Sequence, residues 1–227
     1  MKRSEINGII SSAKKFLDEQ NFYLPPWAYW GPDQWCRAQG DTDEIISNML
    51  GWDITDFGSG DFNGCGLILF TLRNGNPSRD RKSYAEKIMI VGEGQETPMH
   101  FHWSKMEDII NRGGGNLVIE LWNSDNDGGL SESRVVTSTD GIRREIDPGG
   151  RVILSPGESI CLEQGMYHRF YGERGSGRVL VGEVSTVNDD TADNRFYSEA
   201  GRFPGIVEDE PPVHLLVSDY EKFFNRG

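Results

Sequence analysis

Two periods of apolar residues divide the chain. Ile6, Ile9, Ile10, Ala13, Phe16 and Leu17 recur at three- and four-residue spacing, which predicts an amphipathic helix over about residues 4–20, with Ser4 as its cap. The stretch "FYLPPWAYWGPDQW" has too much proline for a helix interior and predicts an ordered arm lying over the main body or across a partner subunit. "DEIISNML" reads as a second short helix, capped by Thr42 and ended by Gly51. From Gly64 the period changes. "GLILFTL", "YAEKIMIV", "NLVIELW", "SRVVTS", "IRREI", "RVILS", "SICLE", "YHRFYG" and "RVLVGEVS" are strand candidates, separated by turn signals such as "RNGNP", "DPGG", "SPGE" and "ERGSG". Many short strands with that punctuation predict an all-β-dominated fold, a jelly-roll or barrel. The expected division is a helical and proline/aromatic arm over residues 1–63 and a barrel over residues 64–227. The tail "VHLLVSDYEKFFNRG" is expected to add a strand and a short helix.

Composition sharpens this picture in three places. With 227 residues, six Trp, seven Tyr and eleven Phe, the chain can fill one sizeable core, so a single domain with extensions is expected. A net charge of −13 opposes nucleic acid and anionic membrane surfaces as partners, because both need a basic face. The N-terminal stretch "MKRSEINGIISSAKKF" is broken by charges, so no signal peptide is expected, and no apolar run approaches the roughly 20 residues of a membrane span. Cys36, Cys65 and Cys161 are scattered and form no C-x-x-C pair, the pattern of reduced thiols in the cytoplasm.

The chemistry gathers in "TPMHFHWSKMEDIINRGGG", which holds two of the four histidines. On a strand, His100 and His102 point to one face, about 7 Å apart, while Phe101 points to the other. Glu107, after a short turn, is placed to return on the neighbouring strand and offer a carboxylate oxygen. Imidazole with carboxylate suits Mn, Fe, Ni, Co or Zn, although an H-x-H pair alone is also met as an ordinary polar cluster.

The stretch resembles the first motif of the cupin superfamily, G-x5-H-x-H-x4-E-x6-G, at Gly94, His100, His102, Glu107 and Gly114. The second motif, G-x5-P-x-G-x2-H-x3-N, is matched at Gly157, Gly165 and His168, with Glu163 in place of the proline and Gly172 in place of the asparagine. The resemblance implies a cupin jelly-roll barrel with one metal ion on His100, His102, Glu107 and His168. The longer stretch "TPMHFHWSKMEDIINRGGGNLVIELW", together with "GEVSTVNDDTADNRF", is similar to the D-lyxose isomerase family over most of the chain. That resemblance implies interconversion of D-lyxose with D-xylulose and of D-mannose with D-fructose, Mn²⁺ as cofactor, a monosaccharide substrate and a homodimer.

Such an isomerisation needs a base near carbon, charge stabilisation for the developing oxyanion, and groups that hold hydroxyls. A divalent ion with open positions would polarise the carbonyl. Glu183, a carboxylate inside the apolar strand "VLVGEVS", is the expected base; the competing reading is a buried carboxylate paired with a lysine or arginine. Lys105, between the ligands in sequence, is expected to neutralise an enediolate oxygen or move a hydroxyl proton. Lys87, Trp103 and Asp193 are candidate substrate contacts, against the alternatives of an internal ion pair, loop packing and a self-capping turn, and Asp189, Asp190, Asn194 and Arg195 of the segment "NDDTADNRF" also suit sugar hydroxyls. His214 stands outside both motifs and reads as a satisfied or surface histidine. Three rivals remain: a Fe or Ni dioxygenase on the same ligands, a phosphosugar isomerase using Arg79, Arg81 and Lys82, and a non-enzymatic sugar-binding cupin.

Overall fold

Apolar runs such as "LILF" and "IMIV" become strands buried on both faces, and that double burial organises the molecule. The computed structural model describes residues 1–38, 42–76, 79, 81–187, 193–201 and 204–224. In chain order the helices are α1 (Arg3–Glu19), α2 (Pro32–Arg37), α3 (Asp43–Ser47) and α4 (Tyr220–Phe224). The strands are β1 (Gly51–Thr55), β2 (Leu67–Arg73), β3 (Tyr84–Val91), β4 (His100–His102), β5 (Glu107–Gly114), β6 (Leu117–Ser124) and β7 (Leu130–Ser131). They continue with β8 (Val135–Thr139), β9 (Ile142–Ile146), β10 (Gly150–Leu154), β11 (Ser159–Leu162), β12 (Met166–Gly172), β13 (Val179–Thr186) and β14 (Asn194–Phe196).

Among the described residues the strands form two antiparallel sheets. One has eight strands in the order β1-β2-β3-β13-β5-β11-β8-β9; the other has five in the path β10-β6-β12-β4-β14, with β7 added beside β6. Between the sheets lies a core of Leu67, Leu69, Met89, Val91, Ile109, Leu117, Ile119, Phe170 and Val181. The alternate residues of the same strands, Ile68, Phe70, Ile88, Ile90 and Leu180, face outward onto Ile6, Ile10, Ala13, Phe16 and Leu17 of α1. Alternation therefore sends one set of side chains into the barrel and the other beneath the helix. This is the expected jelly-roll with its N-terminal helix outside.

Several expectations need correction. The first helix is capped by Lys2, whose N–H donates to Glu5 at 2.9 Å, and Ser4 lies inside the first turn with its hydroxyl donating to Asp209. The proline-aromatic arm is not wholly irregular: Pro26–Tyr29 forms a 3-10 turn and Pro32–Arg37 forms α2, both with proline in the first turn, where its missing N–H costs nothing. Trp27 of this arm packs on Phe70 with ring centroids 5.0 Å apart. β1 carries no turn signal of its own, yet it pairs with β2 along its whole length, so the sheet begins before residue 64. Among the described residues the tail gives a 3-10 turn and α4, with a bridge of Leu216 to Trp52 in place of a strand.

One motif departure, Gly172, has a local reason. Gly172 sits against Gly92, where a Cβ would meet the Gly92 carbonyl oxygen at 2.6 Å, so the asparagine of the general motif would not fit this backbone. Gly114, at the end of the first motif, has φ +84°, and a Cβ there would collide with the Arg178 carbonyl. Gly114→Ala adds left-handed strain and overpacking, a cost of about 2–4 kcal/mol. A thermal melt is expected to show a drop of about 5–15 °C, and an unchanged melt would contradict this reading of the turn.

Candidate active site

The motif residues are brought together across the barrel rather than along one sheet. β4 carries His100 and His102 on its inner face, and His168 on β12 stands directly opposite His100 in the ladder. Their ligand atoms all lie within 4.8 Å of one another. Phe101 points the other way, onto Tyr167 at 4.8 Å between ring centroids. Glu107 starts β5, which belongs to the eight-stranded sheet, so it faces the histidines from the opposite wall and not from a neighbouring strand as expected. Its Oε1 lies 3.3 Å from His102 Nε2 and 3.2 Å from His168 Nε2.

Electrostatics favour the ligating state of His100, His102 and Glu107. Burial pushes the His100 imidazole well below its ordinary value, and the neighbouring His168 and His102 add to the effect. Burial and the Lys105 ammonium lower His102 in the same direction. Burial alone would raise the Glu107 carboxyl, but Lys105, with His102 and His168, holds it well below the usual carboxylate range. Neutral imidazoles beside an ionised carboxylate are what a divalent cation requires. Buried His102 Nε2 and His168 Nε2 make no hydrogen bond. Orphaned nitrogens in a buried cluster fit a cation bound between them, and three imidazoles with one carboxylate would leave coordination positions open.

A second group of charges shares the cavity. Glu183 on β13 is the ladder partner of Lys87 on β3, and Glu183 Oε1 lies 3.3 Å from Lys87 Nζ. The same oxygen accepts from Lys105 Nζ at 3.1 Å and from the Ser185 hydroxyl at 3.0 Å. Lys105 Nζ also lies 2.5 Å from Glu107 Oε2, so it bridges the two carboxylates. All four side chains are at most 5% exposed. Glu183 thus has the lysine partners of the competing reading and also lines the cavity with the histidines. Leu67, Leu69, Met89, Ile109 and Phe170 form its apolar wall.

Two expected substrate contacts are not in the cavity. Trp103 is 61% exposed and packs on Phe101 at 4.6 Å, because it lies one residue beyond His102 and alternation gives it the outer face. Asp193 is buried, but its carboxylate is taken up by the backbone and hydroxyl of Ser104 and by the backbone of Lys105. Asn194, a candidate of the same segment, does line the cavity, and so does Phe196. They pair with His102 and His100 in the β14–β4 ladder, and their two-residue spacing was the available signal. Phe57 and Thr97 also line it and carry no comparable signal. Asp189 and Asp190 lie outside the described residues. Lys82 pairs with Glu44 and, like Arg79 and Arg81, is absent from the cavity wall. His214 does not line the cavity; its ring lies 2.9 Å from Lys14 Nζ and 3.0 Å from the Trp30 carbonyl. No helix among the described residues is long and apolar enough to cross a membrane.

The chain is 51% identical to the D-lyxose/D-mannose isomerase of Serratia proteamaculans, over 98% of this chain and 99% of that protein. It is 50% identical to the D-lyxose/D-mannose isomerase of Escherichia coli O157:H7, over 98% of this chain and 100% of that protein. Among solved structures, L-ribose isomerase of Cellulomonas parahominis with L-ribose superposes with a TM-score of 0.58 over 91% of this chain and 98% of that one, at 18% identity. L-ribose isomerase of Geodermatophilus obscurus gives 0.53 over 81% and 98%, at 15% identity. These two likenesses establish the barrel fold. The family model for D-lyxose isomerase matches residues 1–220, and the chain belongs to the D-lyxose isomerase family.

Proposed function

We propose that this protein is a metal-dependent aldose–ketose isomerase of free sugars, interconverting D-lyxose with D-xylulose and D-mannose with D-fructose. His100, His102, Glu107 and His168 would hold the divalent ion, with Mn²⁺ the expected metal; bound there, it supplies Lewis-acid polarisation of the sugar carbonyl. Glu183 takes the proton from C2 and returns it to C1 through an enediol. Lys105 gives a proton to the carbonyl oxygen and recovers one from the neighbouring hydroxyl, which leaves the atoms balanced. Lys87 pairs with the same Glu183 oxygen as Lys105 and helps to hold it in place. A cytoplasmic homodimer belongs to the same proposal.

The observation that carries the reading is the cavity in which the orphaned imidazole nitrogens share a lining with a carboxylate held by two lysines. Close likeness to isomerases of free D-lyxose and D-mannose supports the substrate class. The basic residues weighed for a phosphate group are absent from the cavity wall. Supplied with Mn²⁺, the protein is expected to form ketose from D-lyxose and D-mannose and at least tenfold less from mannose 6-phosphate. Conversion of the phosphate ester alone would overturn the free-sugar assignment. Oxygen consumption without ketose would move the chemistry to the dioxygenase class.

A further inference from the structure

The three cavity histidines are not held alike. His100 Nδ1 lies 2.8 Å from the Pro98 carbonyl and His168 Nδ1 lies 3.0 Å from the Met166 carbonyl, so a backbone oxygen fixes each ring with Nε2 toward the cluster. His102 Nδ1 is buried and has no hydrogen-bond partner. Asp193 Oδ2 stands 3.8 Å from it. That same oxygen accepts the Lys105 backbone N–H at 3.1 Å, while Oδ1 accepts the Ser104 N–H at 2.8 Å and the Ser104 hydroxyl at 2.6 Å. The Asp193 carbonyl accepts the Trp103 N–H at 3.1 Å. One buried residue, delivered by the strand that pairs with β4, therefore anchors three consecutive residues of the turn between His102 and Glu107.

We infer that Asp193 is a positioning residue that sets both the ring of His102 and the reach of Lys105. This rests on the metal-isomerase reading above. With His102 Nε2 turned to the cluster, the ring proton resides on Nδ1 and points toward the Asp193 carboxylate, the arrangement that orients imidazole ligands and raises their basicity. The bonds to Ser104 and Lys105 fix the backbone from which the lysine side chain spans Glu107 and Glu183. Substrate need not touch Asp193 for its loss to be felt.

Asp193→Asn tests this in the full chain. The amide can keep its oxygen on Ser104 but then sets an NH₂ group against the Lys105 N–H and His102 Nδ1–H. Mn²⁺ titration of stripped protein by electron paramagnetic resonance is expected to show affinity about 10–100-fold weaker than wild type. At saturating Mn²⁺, kcat for D-lyxose is expected to fall about tenfold or more, with KM changed by less than about threefold. A change in melting temperature with Mn²⁺ affinity and kcat both within twofold of wild type would reduce Asp193 to a structural anchor and overturn the inference. Wild-type protein that takes up no Mn²⁺ would instead overturn the metal reading, and this inference with it.

If the variant does not fold, imidazole ¹⁵N spectra of unaltered protein loaded with Zn²⁺ decide the matter. Three slowly exchanging Nδ1–H protons, one for each cavity histidine, are expected. Two, from His100 and His168 alone, would overturn the role assigned at His102.

Discussion

Stripping divalent ions from the protein is expected to reduce turnover of D-lyxose by about a thousandfold or more, and returning Mn²⁺ to restore it. The size follows from the several kcal/mol of charge stabilisation that a Lewis acid supplies to a developing oxyanion, at a factor of ten per 1.4 kcal/mol. The cavity has little to substitute for the ion. Its two lysines are already engaged by Glu183 and Glu107, and burial pushes the His100 and His102 imidazoles toward the neutral form. A stability effect should accompany the kinetic one. Mn²⁺ at 100 times its dissociation constant stabilises the folded state by about 2.7 kcal/mol. For a chain of this size that corresponds to a rise in melting temperature of about 5–10 °C. Full turnover from stripped protein in the presence of chelator would sink the proposal that these four side chains hold a working ion.

Glu183→Gln is expected to lower kcat about 10²–10⁴-fold while leaving Mn²⁺ affinity within a few-fold of wild type. Glutamine preserves the shape of the side chain and its packing, but it cannot take a proton from carbon. The substitution also removes the negative partner of two buried ammonium groups, so a loss of stability of about 3–5 kcal/mol is expected in parallel. The two consequences are separable. A purely structural ion pair would lower the melting temperature and leave kcat nearly intact at a temperature where the variant is folded. A base would lose turnover there even with the fold and the metal retained, and that is the outcome the geometry favours.

Much of this site was legible because it depends on short-range rules. A period of two puts His100 and His102 on one face of β4, and the motif spacing reaches His168 without knowledge of the fold. The same rule, applied one residue further, puts Trp103 on the outer face with Phe101. The runs "GLILFTL" and "YAEKIMIV" declared strands, and "IIxxAxxFL" declared the helix that covers them. β1 escaped notice because "GWDIT" has no alternation of its own: the sheet and the residues packed over it bury all five residues.

What only the tertiary structure decided is which groups meet across distance in the chain. Glu107 faces the histidines from the opposite sheet, Glu183 lies between Lys87 and Lys105, and Asp193 closes on a turn 88 residues away. By itself the sequence predicted α1 and the long apolar strands and the shared inward face of His100 and His102, and the motif resemblance implied a ligand set. Side-chain direction along a strand is fixed by local backbone geometry and can be read residue by residue. Partnership between charges is fixed by how two sheets curl and by where long loops return. Those are properties of the packed whole, and no spacing along the chain encodes them.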